Sequence, residues 1–223
     1  MYIIAEYVCI DMYIIAEVHV VSICMYISET LLGLSFRISP LSFFQVNTPA
    51  AEILYSNVKQ MCKLHEDVVL LDLCCGTGTI GLCMANDVNK VIGVEFNEQA
   101  IEDAKANAQI NGITNADFIC GKVENVLISV LKAVKETDEV VVVVDPPRAG
   151  LHTDVIRAIR KTACISRIVY VACKLSAVST NIADLTRQTS KRFDGKPFRL
   201  MEAMVVDMFP HTELYETVLL IER

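Results

Sequence analysis

Val68-Val69-Leu70-Leu71-Asp72-Leu73-Cys74-Cys75-Gly76-Thr77-Gly78-Thr79-Ile80-Gly81 decides the fold. A short apolar run ends in glycines, and a helical pattern starts at about Thr79. Gly76, Gly78 and Gly81 fit G-x-G-x-x-G between a strand and a helix. That spacing makes a tight turn, lets the backbone approach a ligand and packs the helix closely on the strand. Glu95 follows nineteen residues after Gly76, at the end of the next apolar run. An acid there accepts hydrogen bonds from both hydroxyls of a ribose. The pattern suits any adenosine-bearing cofactor, NAD and S-adenosyl-L-methionine alike. Asp72 tilts the choice towards the second, because a carboxylate repels a pyrophosphate and attracts the cationic amino group of a methionine moiety.

Strand and helix patterns alternate on both sides of this loop. Helices are expected over 48–64, from about 79, and over 98–110, 124–135, 153–162 and 177–188, with strands over 68–74, 90–96, 118–120, 139–145 and 167–173. Thr48 is placed to cap the first helix, which opens with Pro49 where proline is best tolerated. Residues 139–145, Glu-Val-Val-Val-Val-Val-Asp, read as a central strand buried on both faces. Residues 201–209 and 215–221 read as a final antiparallel pair. The sum is a doubly wound α/β sheet, whose ligands sit beyond the carboxyl ends of the strands.

The 223 residues suffice for one large domain, and 53% apolar against 21% charged residues excludes a disordered chain. The net charge of −7 argues against a protein that coats nucleic acid or an anionic membrane. The charge is uneven, however. Residues 155–200 hold ten Lys and Arg and two Asp, a local +8 that leaves −15 for the rest. Nine cysteines, an odd number without paired spacing, read as free thiols in a reducing compartment rather than as disulfides or a zinc site. The first Lys or Arg is Arg37, so neither a signal nor a transit peptide is expected. Residues 1–25 repeat Met-Tyr-Ile and read as an atypical, β-rich or poorly ordered lead-in; no stretch there approaches the length of a membrane span.

The strand ends supply the remaining candidates. Asp145-Pro146-Pro147-Arg148 closes the fourth strand of the α/β pattern, and two prolines make a rigid ledge able to hold a flat ring. Cys173 closes the fifth strand and is followed by Lys174, a cation of the kind that raises the thiolate fraction of a neighbouring cysteine.

Five motifs in order carry a resemblance: Phe36-Arg37-Ile38-Ser39-Pro40, Phe43-Phe44-Gln45-Val46-Asn47, the glycine loop at Asp72–Leu82, Asp145-Pro146-Pro147-Arg148-Ala149-Gly150-Leu151, and Asp207-Met208-Phe209-Pro210-His211-Thr212. Together they resemble the catalytic domain of the RNA (uracil-5-)-methyltransferases, over residues 26–223, most nearly the eukaryotic tRNA branch. The resemblance implies a Rossmann-like class I S-adenosylmethionine-dependent methyltransferase fold, with a mostly parallel seven-stranded sheet and an antiparallel C-terminal strand. It implies methyl transfer from S-adenosyl-L-methionine to carbon 5 of a uridine in RNA, in the first place the tRNA T-loop. Cys173 is then the nucleophile that adds to carbon 6, and Glu216 the base, with Glu213 its rival. Gln45, Cys74, Gly76, Glu95 and Asp145 match cofactor-binding positions. Arg37, Arg148, Lys174 and Arg199 are candidate phosphate contacts. The chain departs from the family pattern at Lys174 and Leu175, where Asn and Pro are usual, and at Leu214, where His is usual. These departures keep open a relative that binds cofactor or RNA without catalysis. The expected partner is an RNA, with no membrane and no metal; the expected state is a monomer in the cytosol or nucleus, without the family's N-terminal RNA-binding domains.

Overall fold

The computed structural model describes residues 9–15, 18–24, 26–135 and 138–223. Strands β1 (Cys9–Ile15) and β2 (Val18–Cys24) form an antiparallel pair. The remainder of the expected lead-in lies outside the described residues. A second antiparallel hairpin, β3 (Ile27–Leu31) and β4 (Leu34–Ile38), is followed by helix α1 (Thr48–Cys62). The alternating part then runs β5 (Val68–Leu73), α2 (Thr79–Met84), β6 (Lys90–Glu95), α3 (Glu98–Ile110), β7 (Ala116–Cys120), α4 (Val123–Ala133), β8 (Glu139–Val144), α5 (Thr153–Lys161), β9 (Ile165–Ala172) and α6 (Leu175–Thr186). It closes with β10 (Arg199–Val206) and β11 (Glu216–Glu222).

Seven strands make one sheet in the order β10-β11-β9-β8-β5-β6-β7. The pairs from β7 to β9 are parallel, whereas β11 runs antiparallel to both β9 and β10. Alternation of side chains across the pleat divides the core in two. On one face Val141 and Val143 of β8 pack with Leu54 and Val58 of α1 and Ile101 of α3. On the other, Val140, Val142 and Val144 pack with Leu127 of α4, Ile156 of α5 and Val178 of α6. The valine run is wholly buried for this reason, as a strand covered on both faces must be. Among the described residues, no helix is long and apolar enough to cross a membrane.

One cap sits one residue earlier than the sequence suggests. Asn47, rather than Thr48, caps α1: its side chain accepts the Ala50 N–H, and Thr48 is already helical. Asn47 also donates to the Met208 carbonyl at 3.1 Å, which ties two of the five motifs together.

The β3–β4 hairpin was not expected from the sequence, and its attachment is unusual. Asp103 and Asn107 of α3 and its C-cap residue Asn111 recur every four residues and so share one face. Asn111 accepts the Ser35 N–H (2.9 Å) and donates to the Ser35 carbonyl (2.7 Å). Asn107 repeats both bonds on Arg37, at 2.7 and 3.2 Å. Asp103 accepts the Ser39 N–H and the hydroxyls of Ser39 and Ser42 at 2.8–3.0 Å. Three helix side chains thus serve alternate residues of β4 and its extension as a neighbouring strand would, and they fix where residues 41–45 begin.

Candidate active site

A cleft of about 940 Å³ opens at the carboxyl ends of the parallel strands, where a doubly wound sheet binds its ligands. Gln45, Cys74, Gly76, Glu95, Asp145, Cys173 and Glu216 all line it. The seven positions come from six separate stretches of chain, so only the fold brings them together. Glu213 is exposed and does not line the cleft.

The glycine turn is strained at its first residue. Cys74 has φ = 65°, a left-handed value that side chains other than glycine seldom adopt. The turn is held because the Cys74 and Cys75 N–H groups both donate to the Val94 carbonyl of β6. Burial, with Glu95 and Asp145 nearby, pushes the Cys74 thiol up to about 12, so it stays protonated at neutral pH. At Gly76 a side chain would point into open space within the cleft. Glu95 is fixed beside it: one oxygen accepts the Gly76 N–H (3.1 Å), the other the N–H groups of Phe96 and Asn97 (2.9 Å each). The Phe96 ring, 67% exposed, lines the cleft next to that carboxylate.

Asp72 corrects the sequence reading. It is fully buried and does not line the cleft. One oxygen accepts the Gly81 N–H at 2.8 Å and joins β5 to α2; the other has no hydrogen-bond partner among the described residues. Burial, partly countered by that bond, raises its carboxyl to about 7. Gly81 is required here, since a Cβ would lie 2.8 Å from Val91 and 3.0 Å from Asp72.

The fourth-strand ledge is clamped from behind. After Asp145-Pro146-Pro147 the chain turns, with the Gly150 N–H donating to the Pro147 carbonyl. Asn181 of α6 then accepts the Leu151 N–H, donates to the Leu151 carbonyl, and accepts the Tyr170 hydroxyl. Gly150, at φ = 74°, leaves room for that amide, because a Cβ would sit 2.5 Å from Asn181 Oδ1. Sequence reading missed Asn181 and Tyr170; a lone Asn in an apolar helix and a Tyr in a strand carry no motif.

Register places the two proposed reacting groups. The β9–β11 ladder ends at the Thr217–Ala172 pair, so Glu216 and Cys173 each lie one residue beyond it, and both line the cleft. Glu216 is 4% exposed, and its Oε2 has no hydrogen-bond partner among the described residues. Burial, reinforced by the Asp145 charge, raises its carboxyl to about 7. Burial also raises Asp145, to about 6. Of the candidate phosphate contacts, Arg148 lines the cleft and is exposed, whereas Lys174 at the start of α6 and Arg199 on β10 are exposed outside the cleft lining. Arg37 is drawn to Asp103 (3.4 Å) and lies 4.9 Å from the Tyr26 ring centre.

The family profile described as tRNA (Uracil-5-)-methyltransferase matches residues 21–223. The chain belongs to this family. The tRNA (uracil-5-)-methyltransferase homolog A of Homo sapiens is 49% identical over 197 residues, which cover 88% of this chain and 31% of that protein. Homolog B of Homo sapiens is 47% identical over 201 residues, 89% of this chain and 40% of that protein. The chain therefore spans about a third of the length of the curated relatives it matches. A crystal structure of the Pyrococcus abyssi tRNA (uracil-54, C5)-methyltransferase in complex with S-adenosyl-L-homocysteine superposes with a TM-score of 0.70 at 31% identity, over 88% of this chain and 44% of that one. The fold of this family member is the class I methyltransferase sheet, mostly parallel with an antiparallel C-terminal strand.

Proposed function

We propose that residues 26–223 form the catalytic domain of an S-adenosyl-L-methionine-dependent enzyme that methylates carbon 5 of a uridine in RNA, first of all a tRNA T-loop. The observation that carries this reading is the convergence of Cys173 and Glu216, each one residue beyond the last pair of one ladder, in the cleft that also holds the five cofactor candidates. The reading extends to an intracellular enzyme working as a monomer.

The residues present suit the cofactor. Gly76 leaves open space, the Glu95 carboxylate is anchored to meet a ribose, and the Phe96 ring offers an apolar face for an adenine. Gln45 and Asp145 would face the amino-acid end, with Cys74 beside them as a neutral thiol. When bound, S-adenosyl-L-methionine supplies a methyl group on a sulfonium, an electrophile that carbon 5 of uracil is too poor a nucleophile to attack unaided.

The chain's own groups remove that deficit. The Cys173 thiolate adds to carbon 6, and the electron pair of the 5,6 double bond moves into an enolate on the carbonyl at carbon 4. Carbon 5 is then nucleophilic. Once it carries the methyl group, the Glu216 carboxylate takes its proton, the 5,6 double bond re-forms and the thiolate leaves. A carboxyl raised to about 7 is matched to that task near neutral pH. The ledge after β8 gives the extruded base a rigid surface, as chemistry on a stacked base requires that the base leave its stack.

A tRNA transcript made with 5-fluorouridine tests the reading, because fluorine cannot leave carbon 5 as a proton does. With S-adenosyl-L-methionine present, a covalent protein–RNA species should survive denaturing electrophoresis, and Cys173→Ala should abolish it. Absence of that species from a wild-type chain shown by calorimetry to bind the cofactor would sink the reading.

A further inference from the structure

The cations of residues 155–200 do not gather around Cys173. Arg160 is fully buried, and its guanidinium donates to the carbonyls of Asp184, Leu185, Arg187 and Gly195. Arg167 is held by Glu222 at 2.7 Å and by the Cys62 carbonyl. Arg187 pairs with Asp184 at 2.8 Å. Of the seven others, Arg157, Lys161, Lys191 and Arg192 line one groove beside α5, Arg157 with Asp154 at 2.8 Å.

A groove of about 1120 Å³ runs between α4, α5 and the loop that follows α6. Lys132, Arg157, Lys161, Lys191 and Arg192 line it against Asp154 and Asp194, five cations to two carboxylates and a net +3 in a chain of −7. Its floor is apolar: Ile128 is 57% exposed there, beside Leu131, Val134 and Ala158. The loop is anchored by Phe193, 1% exposed, with the guanidinium carbons of Arg157 and Arg192 at 5.8 and 5.5 Å from its ring centre. Arg192 of the loop and Arg157 of α5 thus meet over one core side chain.

The groove adjoins the cleft through α5. Thr153 and Val155 line the cleft, while Asp154, Arg157, Ala158 and Lys161 line the groove. From Thr153 to Lys161 the helix rises about 12 Å, roughly three to four nucleotides of a helical strand at 3.4 Å each.

We propose that this groove holds the sugar–phosphate backbone of the RNA whose target base enters the cleft. The proposal rests on the RNA substrate of the proposed function and adds the path of the strand. Alternating phosphates and riboses suit cationic walls over an apolar floor, and a concave surface suits a strand better than a flat anionic membrane.

The test uses a triple charge reversal, Lys161→Glu, Lys191→Glu and Arg192→Glu, with the triple Gln substitution as a milder companion. The probe is an unmodified tRNA transcript, bound over 50–200 mM KCl. The reversal should raise Kd at least tenfold. The slope of log K against log[salt] should shrink by about two to three, since each lost phosphate contact removes 0.7–0.9. KM for RNA should rise with kcat unchanged, while S-adenosyl-L-homocysteine affinity and Tm stay as in the wild type. Unchanged Kd and slope in both triple variants would overturn the proposal. So would a wild-type chain that binds vesicles of 30% phosphatidylserine but not tRNA. Methyl transfer to carbon 5, scored on the same transcript, separates the two readings. Weakened RNA binding without transfer by the wild type keeps the groove and removes the catalytic reading; transfer with undisturbed binding does the reverse.

Discussion

Asn181 grips Leu151 by both edges of its backbone, accepting the N–H at 2.6 Å and donating to the carbonyl at 3.0 Å. The Tyr170 hydroxyl donates to the same amide oxygen at 2.9 Å. Because these groups are buried, the ledge cannot relax without leaving polar groups unpaired. Asn181→Ala should cost about 2 kcal/mol in urea denaturation. It should also lower methyl-transfer kcat tenfold or more, with cofactor affinity less affected, since the Gly76 side of the cleft is untouched. Asn181→Asp keeps the one oxygen that accepts both bonds but sets a second, anionic oxygen against the Leu151 carbonyl, and should cost at least as much as alanine. Wild-type kcat in the alanine variant would show that the ledge is held by other means.

Glu216 sets a pH dependence. Its carboxyl is raised to about 7, by burial first and by Asp145 second, so the basic form is scarce in mild acid and grows as pH rises through that value. Single-turnover release of methylated RNA should therefore climb between pH 6 and 8. Glu216→Gln should slow release about 10²–10⁴-fold and accumulate the covalent adduct on natural uridine. A profile flat across that range in the wild type would remove Glu216 from proton transfer.

Asp72 gives stability a pH dependence. Its folded carboxyl sits near 7, well above the unfolded value of 3.8. A group raised in this way contributes stability that is complete below about pH 4 and is lost as pH rises through about 7. At pH 8 the native state carries a buried, half-satisfied anion. Asp72→Asn keeps an acceptor for the Gly81 N–H and removes the charge, so its stability relative to the wild type should be greater at pH 8 than at pH 5 by about 2–3 kcal/mol. Equal effects at both pH values would contradict this account.

The glycines of the cofactor turn should fail in different ways. A side chain at Gly81 collides with Val91 and Asp72, so Gly81→Ala should cost about 1–3 kcal/mol of stability. A side chain at Gly76 meets no protein atom but projects into the cleft and pays for φ = 53°. Gly76→Ala should therefore lose about 1 kcal/mol yet weaken S-adenosyl-L-homocysteine binding at least tenfold by calorimetry. Similar binding losses in the two variants would mean that the turn acts only as a hinge of the fold.

The parallel sheet was legible because its strands announce themselves: a run of valines buried on both faces has few other uses, and a glycine turn with an acid at the next strand end has a chemical reason. What stayed hidden was polar and long-range. Asp103, Asn107 and Asn111 look like an ordinary wet helix face until β4 is laid against them. Asp72 shares its strand with buried neighbours, and only the fold shows that its carboxylate turns to Gly81 rather than to the cleft. Cys173 and Glu216 are forty-three residues apart in sequence, and only the pairing of β9 with β11 brings both to the cleft. The cations of 155–200 counted as one basic segment, yet Arg160 is buried, Arg167 is held by Glu222, and Arg187 is neutralised at the surface by Asp184.

The three polar side chains of α3 that hold β4 carry a constraint on how this chain can vary in length. One residue inserted between Asp103 and Asn111 rotates everything beyond it by about 100°, so the outer contact would swing away from the hairpin while the inner one stayed. The same insertion after Asn111, at the turn around Gly112, would leave all three in place. Lineages of this domain should accordingly tolerate added residues just past α3 and none within its last two turns, although much of that stretch faces water.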